Sequence, residues 1–204
     1  RKLADVRQEL VLDAARSAFF ELGMDKTSIR EIARRAGYTP GALYSYFPSK
    51  EHIYGALLGE SLERLNAQVQ QTLAKAKTAT DQLKAAATAF FDFYRENPHD
   101  LDLGFYLFQG MAPRGLTPEL NTRLNTRLRD ALLPCHAALQ AMGLDSAEAT
   151  REVTALFAHI VGLLVMSHTG RIRMFGQSSQ ELFTAYLQHL VGRAQTRQDG
   201  GTAH

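Results

Sequence analysis

Between Thr27 and Lys50 the chain spells two short helices with a tight turn between them, and this stretch constrains the fold more than any other. Ser28-x-x-Glu31 is a capping box, in which the Ser28 hydroxyl accepts from the Glu31 amide while Glu31 reaches back. The helix it opens runs from Ile29 to Ala36. Ile29, Ile32, Ala33 and Ala36 share one face, with Arg30, Arg34 and Arg35 elsewhere on the surface. Gly37 supplies the backbone freedom to end it. Thr39 then offers an N-cap and Pro40 suits a first helical position. Leu43 and Phe47, four apart, anchor the inner face of the second helix. Pro48 breaks that helix, and Ser49-Lys50-Glu51 starts the next.

The rest of the pattern is also helical, with no internal repeat and no alternation of strand type. A helix over Val6–Leu22 turns Leu10, Ala14, Ala18 and Phe19 inward and stops at Gly23. From Ser49 to about Ala76, Ile53, Leu57, Leu58, Leu62, Leu65, Val69 and Leu73 keep helical spacing throughout. Further helices are expected over Asp81–Glu96, stopped before Pro98, and over Pro98–Gln109. The next runs from Pro118 to Met142, with a kink at Pro134. Another opens on the box Asp145-x-x-Glu148 and ends near Gly170, and a last one opens on Ser178-x-x-Glu181 and ends at Gly192. Nine helices in all define an all-α chain: a three-helix domain over residues 1–50, a larger helical domain over 51–193, and a flexible tail over 194–204.

The first of these domains resembles the tetracycline-repressor (TetR) family of bacterial transcription regulators. The resemblance rests on Phe19-x3-Gly23, Thr27-Ser28-Ile29-Arg30-Glu31-Ile32-Ala33, Ala36-Gly37, Gly41-x-Leu43-Tyr44-x-Tyr46-Phe47 and Ser49-Lys50-Glu51. It covers residues 5 to 60. It implies a helix-turn-helix that reads a double-stranded DNA operator, a second domain that takes a small-molecule effector, and a homodimer. Thr27, Ser28 and Lys50 are then phosphate-contacting candidates, together with Tyr44 and Tyr46, the last of which has core packing beside Phe47 as an equal alternative. Thr39, Pro40, Gly41 and Ala42 form a small, apolar reading tip. Arg30 is the one long donor placed for a base edge, with a solvated cation or a salt bridge to a nearby acid as its alternative. Arg34 and Arg35 are expected to face phosphate or solvent. With so few specific donors, DNA shape and half-site spacing are expected to carry much of the specificity.

Charge alone would not suggest nucleic acid. The formal net charge is +2, and residues 1–55 hold nine Lys/Arg against seven Asp/Glu. The lone Cys135 excludes an internal disulfide and a cysteine-based zinc site and reads as a small buried hydrophobe. The most apolar run, Val153–Met166, is shorter than the ~20 residues of a membrane span, so no membrane and a cytoplasmic location are expected.

Aromatic residues crowd the second domain. Phe90, Phe91, Tyr94, Phe105, Tyr106, Phe108 and Phe157, with Met166, suggest an apolar effector cavity, and His136 and His159 are candidate polar anchors in it. For each histidine a structural role competes. Leu156, Ile160, Gly162 and Leu163, with Phe183, Tyr186, Leu187 and Leu190, are candidates for a four-helix dimer interface. No cofactor is expected. Glu96-x-x-His99 has the spacing of a di-iron half-motif, but Pro98 interrupts it and no second copy exists. Phosphate loops, Gly-x-Ser-x-Gly and His-Glu-x-x-His are missing. The expected function is a ligand-responsive DNA-binding regulator, a repressor released by a small hydrophobic or aromatic molecule. The alternative is a helical small-molecule binder or enzyme with a vestigial helix-turn-helix.

Overall fold

The computed structural model describes residues 2–105 and 116–201, and these hold α-helices and no strand. The helices are α1 (Lys2–Leu22), α2 (Ile29–Ala36), α3 (Pro40–Tyr44), α4 (Lys50–Leu73), α5 (Ala79–Glu96), α6 (Pro98–Phe105), α7 (Pro118–Asp130), α8 (Leu133–Ala141), α9 (Ser146–His168) and α10 (Ser179–Gly201), with a 3-10 turn at Arg171–Phe175. They form two compact units: Arg1–Glu63 with His99–Arg127, and Arg64–Pro98 with Leu128–His204. The division between them falls inside α4.

In the first unit Val11, Leu12, Ala15, Ala18 and Phe19 of α1 pack with Ile32 and Ala33 of α2 and with Leu43 and Phe47. The ring of Phe19 meets Tyr54 of α4 edge-on, centroids 5.9 Å apart. The Tyr54 hydroxyl donates to the carbonyl of Leu103, which fixes α6 on α4. Two glycines let α7 come close to α4. A Cβ on Gly55 would lie 3.2 Å from Leu120 Cδ2, and one on Gly59 would lie 3.2 Å from the Arg127 guanidinium. Arg127 in turn pairs with Glu63 at 2.8 Å.

In the second unit α5 is the central helix and packs on α8, α9 and α10. Its buried face carries Leu83, Ala86, Ala87, Phe90, Phe91 and Tyr94. Leu156, Ile160, Leu163 and Leu164 of α9 and Phe183, Leu187 and Leu190 of α10 complete the core. Burial of these apolar side chains is the main favourable term in folding.

Several expectations are corrected. Among the described residues ten helices replace nine, because Asp130 ends α7 and Pro134 falls in the first turn of a separate α8. Proline lacks the amide for a mid-helix hydrogen bond and clashes with the preceding turn, so it restarts the helix instead of kinking it. Leu10 is 49% exposed, and Val11 and Leu12 take the inward positions. Helix α3 stops at Tyr44, so Phe47 is buried just beyond it. Helix α9 is 23 residues long, and by length and apolarity it is the one helix among the described residues able to cross a bilayer. Its leucines instead pack into the core of their own unit. Helix α10 passes through Gly192, which lacks the left-handed backbone of a terminator.

Candidate nucleic-acid interface and effector core

The reading head is built from hydrogen-bonded caps. Ser28 has extended backbone (φ −116°), and its Oγ accepts from the Glu31 amide at 3.2 Å. Gly37 closes α2 in the left-handed region (φ 73°), where a Cβ would be strained. The second arm of the expected capping box is replaced. The Glu31 carboxylate faces Arg34 Nη2 at 2.7 Å and Arg35 Nε at 2.7 Å. Two guanidinium groups outcompete one backbone amide for the carboxylate, and they hold the Glu31 pKa down to about 2.

Arg35 does not face phosphate. It donates to Ser17 at 2.9 Å and to Glu21 at 2.8 Å as well as to Glu31, and so ties α2 to α1. Thr27 is also turned inward. It is 2% exposed, and its hydroxyl donates to the Gly23 carbonyl at 2.7 Å, with that of Ala18 at 3.2 Å. The hydroxyl holds the end of α1 and is closed to solvent, contrary to the expected phosphate contact. Lys50 donates to the carbonyls of Met24 (2.7 Å) and Thr27 (3.2 Å), so most of its ammonium is committed to the same turn.

What remains outward is the tip. Thr39 caps α3 by accepting from the Ala42 amide at 3.2 Å, and Pro40 opens the helix. Thr39, Pro40 and Gly41 are exposed, Ala42 is half-buried, and Tyr44 is 56% exposed. Arg30 is exposed beside them in the sequence order of the motif, and no side-chain hydrogen bond holds it among the described residues. Tyr46 is half-buried. Its hydroxyl hydrogen-bonds the Arg7 guanidinium, which raises the Arg7 pKa, with Tyr38 adding to the effect. Sequence reasoning misses Arg7; the available signal is the basic start of the chain, Arg1-Lys2 and Arg7.

The aromatic cluster divides. Phe90 and Tyr94 meet edge-on at 5.3 Å, Phe90 and Phe157 at 5.9 Å. Phe91 stacks on Phe183 of α10, centroids 4.3 Å apart and planes within 9°. These rings form an apolar core at the centre of the second unit. Phe105 is half-buried on α6 in the first unit, Met166 is half-buried on α9, and Tyr106 and Phe108 lie outside the described residues. His136 Nε2 sits 3.2 Å from the Ser146 carbonyl and 3.2 Å from Thr150 Oγ1, so it secures the start of α9. His159 stacks on Tyr186 at 4.1 Å. Burial lowers its pKa, partly offset by a hydrogen bond to the Leu182 backbone. Cys135 is fully buried, and burial pushes its thiol up to about 12, the inert range.

Of the expected interface residues, Leu156, Ile160, Leu163, Phe183, Leu187 and Leu190 are spent inside the chain's own core. Gly162 is exposed, and a Cβ added there would meet nothing within 4 Å; Tyr186 is half-buried. The outward face of α9 therefore shows small groups: Ala155, Ala158 and Gly162, flanked by half-buried Val161 and Val165.

Comparison with known proteins agrees with this geometry. Residues 11–57 match the bacterial regulatory proteins of the tetR family, and residues 83–190 match the tetracyclin repressor-like C-terminal domain. The HTH-type transcriptional activator FasR of Mycolicibacterium smegmatis is 35% identical over 101 residues, 50% of this chain and 46% of the relative. The chain thus spans about half the length of the curated relatives it matches first. The transcriptional regulator FadR from Bacillus subtilis, solved with stearoyl-CoA, shares the fold with a TM-score of 0.68 at 21% identity, over 90% of this chain and 97% of the other. A tetR-family regulatory protein from Rhodococcus RHA1 shares it with a TM-score of 0.66 at 21% identity, over 91% and 95%. With the helix-turn-helix and the larger helical domain both matched, the chain belongs to the tetR family of bacterial regulatory proteins.

Proposed function

We propose that this protein is a homodimeric, cytoplasmic repressor, without enzymatic activity, that binds a palindromic operator through α2 and α3 and leaves it when an apolar effector binds the second domain. The observation that carries this reading is the split within the head. Thr27, Arg35 and Lys50 are locked into the fold, while Arg30, Thr39, Pro40, Gly41 and Tyr44 stay outward. A rigid support under a solvent-facing helix tip is what major-groove docking requires. Residues 1–50 would form the head and 51–193 the effector and dimer domain.

The dimer is assigned to the outward face of α9 with α10, where Gly162 admits close approach of a second copy. Two half-sites one helical turn apart lie about 34–36 Å from each other, so a small pivot ruins the fit. An effector acts only through its preference for the geometry that does not fit DNA. The aromatic core around Phe90 and Phe157 suits an acyl chain, and the stearoyl-CoA bound by the FadR neighbour makes long-chain acyl thioesters the first class to test.

Mobility-shift titration with and without stearoyl-CoA tests both halves. Tight binding to an operator-bearing promoter fragment, a steep loss of affinity with salt and release by the thioester are expected. Retention of DNA at saturating thioester would remove the acyl class, and weak binding indifferent to sequence would remove the repressor.

A further inference from the structure

The turn between α9 and α10 is unlike the rest of the surface. Arg171–Phe175 is a 3-10 turn bounded by Gly170 (φ 71°) and Gly176 (φ 61°), both in the left-handed region. Ile172 is buried and pins it to the body. Its outer half carries Met174, 78% exposed, and Phe175, 65% exposed, the two most exposed large apolar side chains among the described residues. Arg171 and Arg173 flank them, both exposed, and no ion pair engages either among the described residues. A Cβ on Gly170 would fall 2.6 Å from Arg173 Nη2, so Arg173 lies back across the turn.

Along the sequence the charge pattern on this stretch is one-sided. Between Glu152 and Glu181 the sequence has no acidic residue, while Arg171, Arg173 and two histidines fall inside that stretch. Two large apolar groups standing in water beside unpaired guanidinium groups call for a surface that is apolar below and anionic above.

We propose that the Arg171–Phe175 turn is a peripheral docking site for an anionic lipid bilayer, with Met174 and Phe175 entering the headgroup–acyl boundary and Arg171 and Arg173 meeting lipid phosphates. The contact lies on the membrane and does not span it, and it is separate from the operator reading above. A second copy of this turn is a poor occupant, because like guanidinium groups would face each other with no carboxylate in the stretch to pair them. A bilayer supplies both the acyl layer and the phosphates. One such tip binds weakly, so a chain with two copies of it in one particle gains from avidity.

Sedimentation of the full chain with vesicles tests the proposal. Binding to phosphatidylcholine–phosphatidylglycerol vesicles should exceed binding to phosphatidylcholine vesicles and should fall with added salt. The pair Met174→Ser/Phe175→Ser and the pair Arg171→Gln/Arg173→Gln should each weaken it by at least about tenfold. The arginine pair leaves the apolar tip in place and guards against a folding defect in the first pair. Equal binding to both vesicle types, or full binding by either variant, would overturn the proposal. A change in oligomeric state of the Met174→Ser/Phe175→Ser variant without a change in vesicle binding would also overturn it and would make the turn a contact between copies.

Discussion

The Lys50 ammonium, at the first turn of α4, lies 2.7 Å from the carbonyl oxygen of Met24, in the turn that follows α1. A second bond to Thr27 (3.2 Å) closes the turn that leads into α2. Lys50 therefore braces the turn that precedes the Ser28 cap of α2. Replacing it with Met keeps the stem and deletes both bonds. Hydrogen bonds from a charged donor are worth about 1.5–3 kcal/mol, so K50M should lower unfolding free energy by that order in a denaturant titration. Thr27→Val should cost about 1 kcal/mol and leave the salt slope of DNA binding unchanged, since its hydroxyl points inward.

Arg30 and Arg35 sit on the same short helix, and the proposed function gives them opposite roles. Arg30→Ala should leave thermal stability within the noise of a surface substitution and cost about 1–3 kcal/mol of discrimination at one operator position. Arg35→Ala should do the reverse, loosening α1 from α2 without changing the preferred motif. Melting curves and operator-variant titrations on the two proteins separate the roles, and similar profiles for both would contradict the assignment.

Glu31 gives the head an acid sensitivity. Its folded pKa is about 2, below the ordinary value of 4.5, because Arg34 and Arg35 hydrogen-bond the carboxylate. A depressed carboxylate contributes stability that is present above about 4.5 and is lost as pH falls toward 2. Wild type should therefore lose more stability across that window than Glu31→Gln, which has no charge to neutralise. Parallel pH-stability curves for the two would show that the exposed pairs are screened out.

Gly162 has open space around it, and Leu163, beside it, is 6% exposed. Gly162→Leu should fold normally and sediment as a monomer, because only a second copy meets the added side chain. Leu163→Ala should keep its oligomeric state and lose about 2–5 kcal/mol of stability through the cavity it leaves. A dimeric Gly162→Leu protein would move the interface off this face.

Much of the head is legible in the sequence because its signals are local. Ser28, Gly37, Thr39 and Pro40 each act on backbone groups within four residues, so α2 and the start of α3 follow from spacing. Thr27 and Arg35 escape that reading because each also bonds residues of α1, Ala18 for Thr27 and Ser17 and Glu21 for Arg35, which spacing does not reveal. Pro134 reads as a kink because a continuous apolar pattern hides the end of α7. The largest side chains of α9 and α10 suggest an interface. Those are the groups the chain's own core consumes first, and the face left over shows alanine and glycine.

Selection of random duplexes on the purified protein, read as a sequence motif, tests the central claim most directly. A dimeric reader with this head should return a palindrome with half-sites about one helical turn apart and few invariant guanines, since the proposal gives Arg30 alone the long side chain for a bidentate base contact. No enrichment from a folded, dimeric protein would contradict the account.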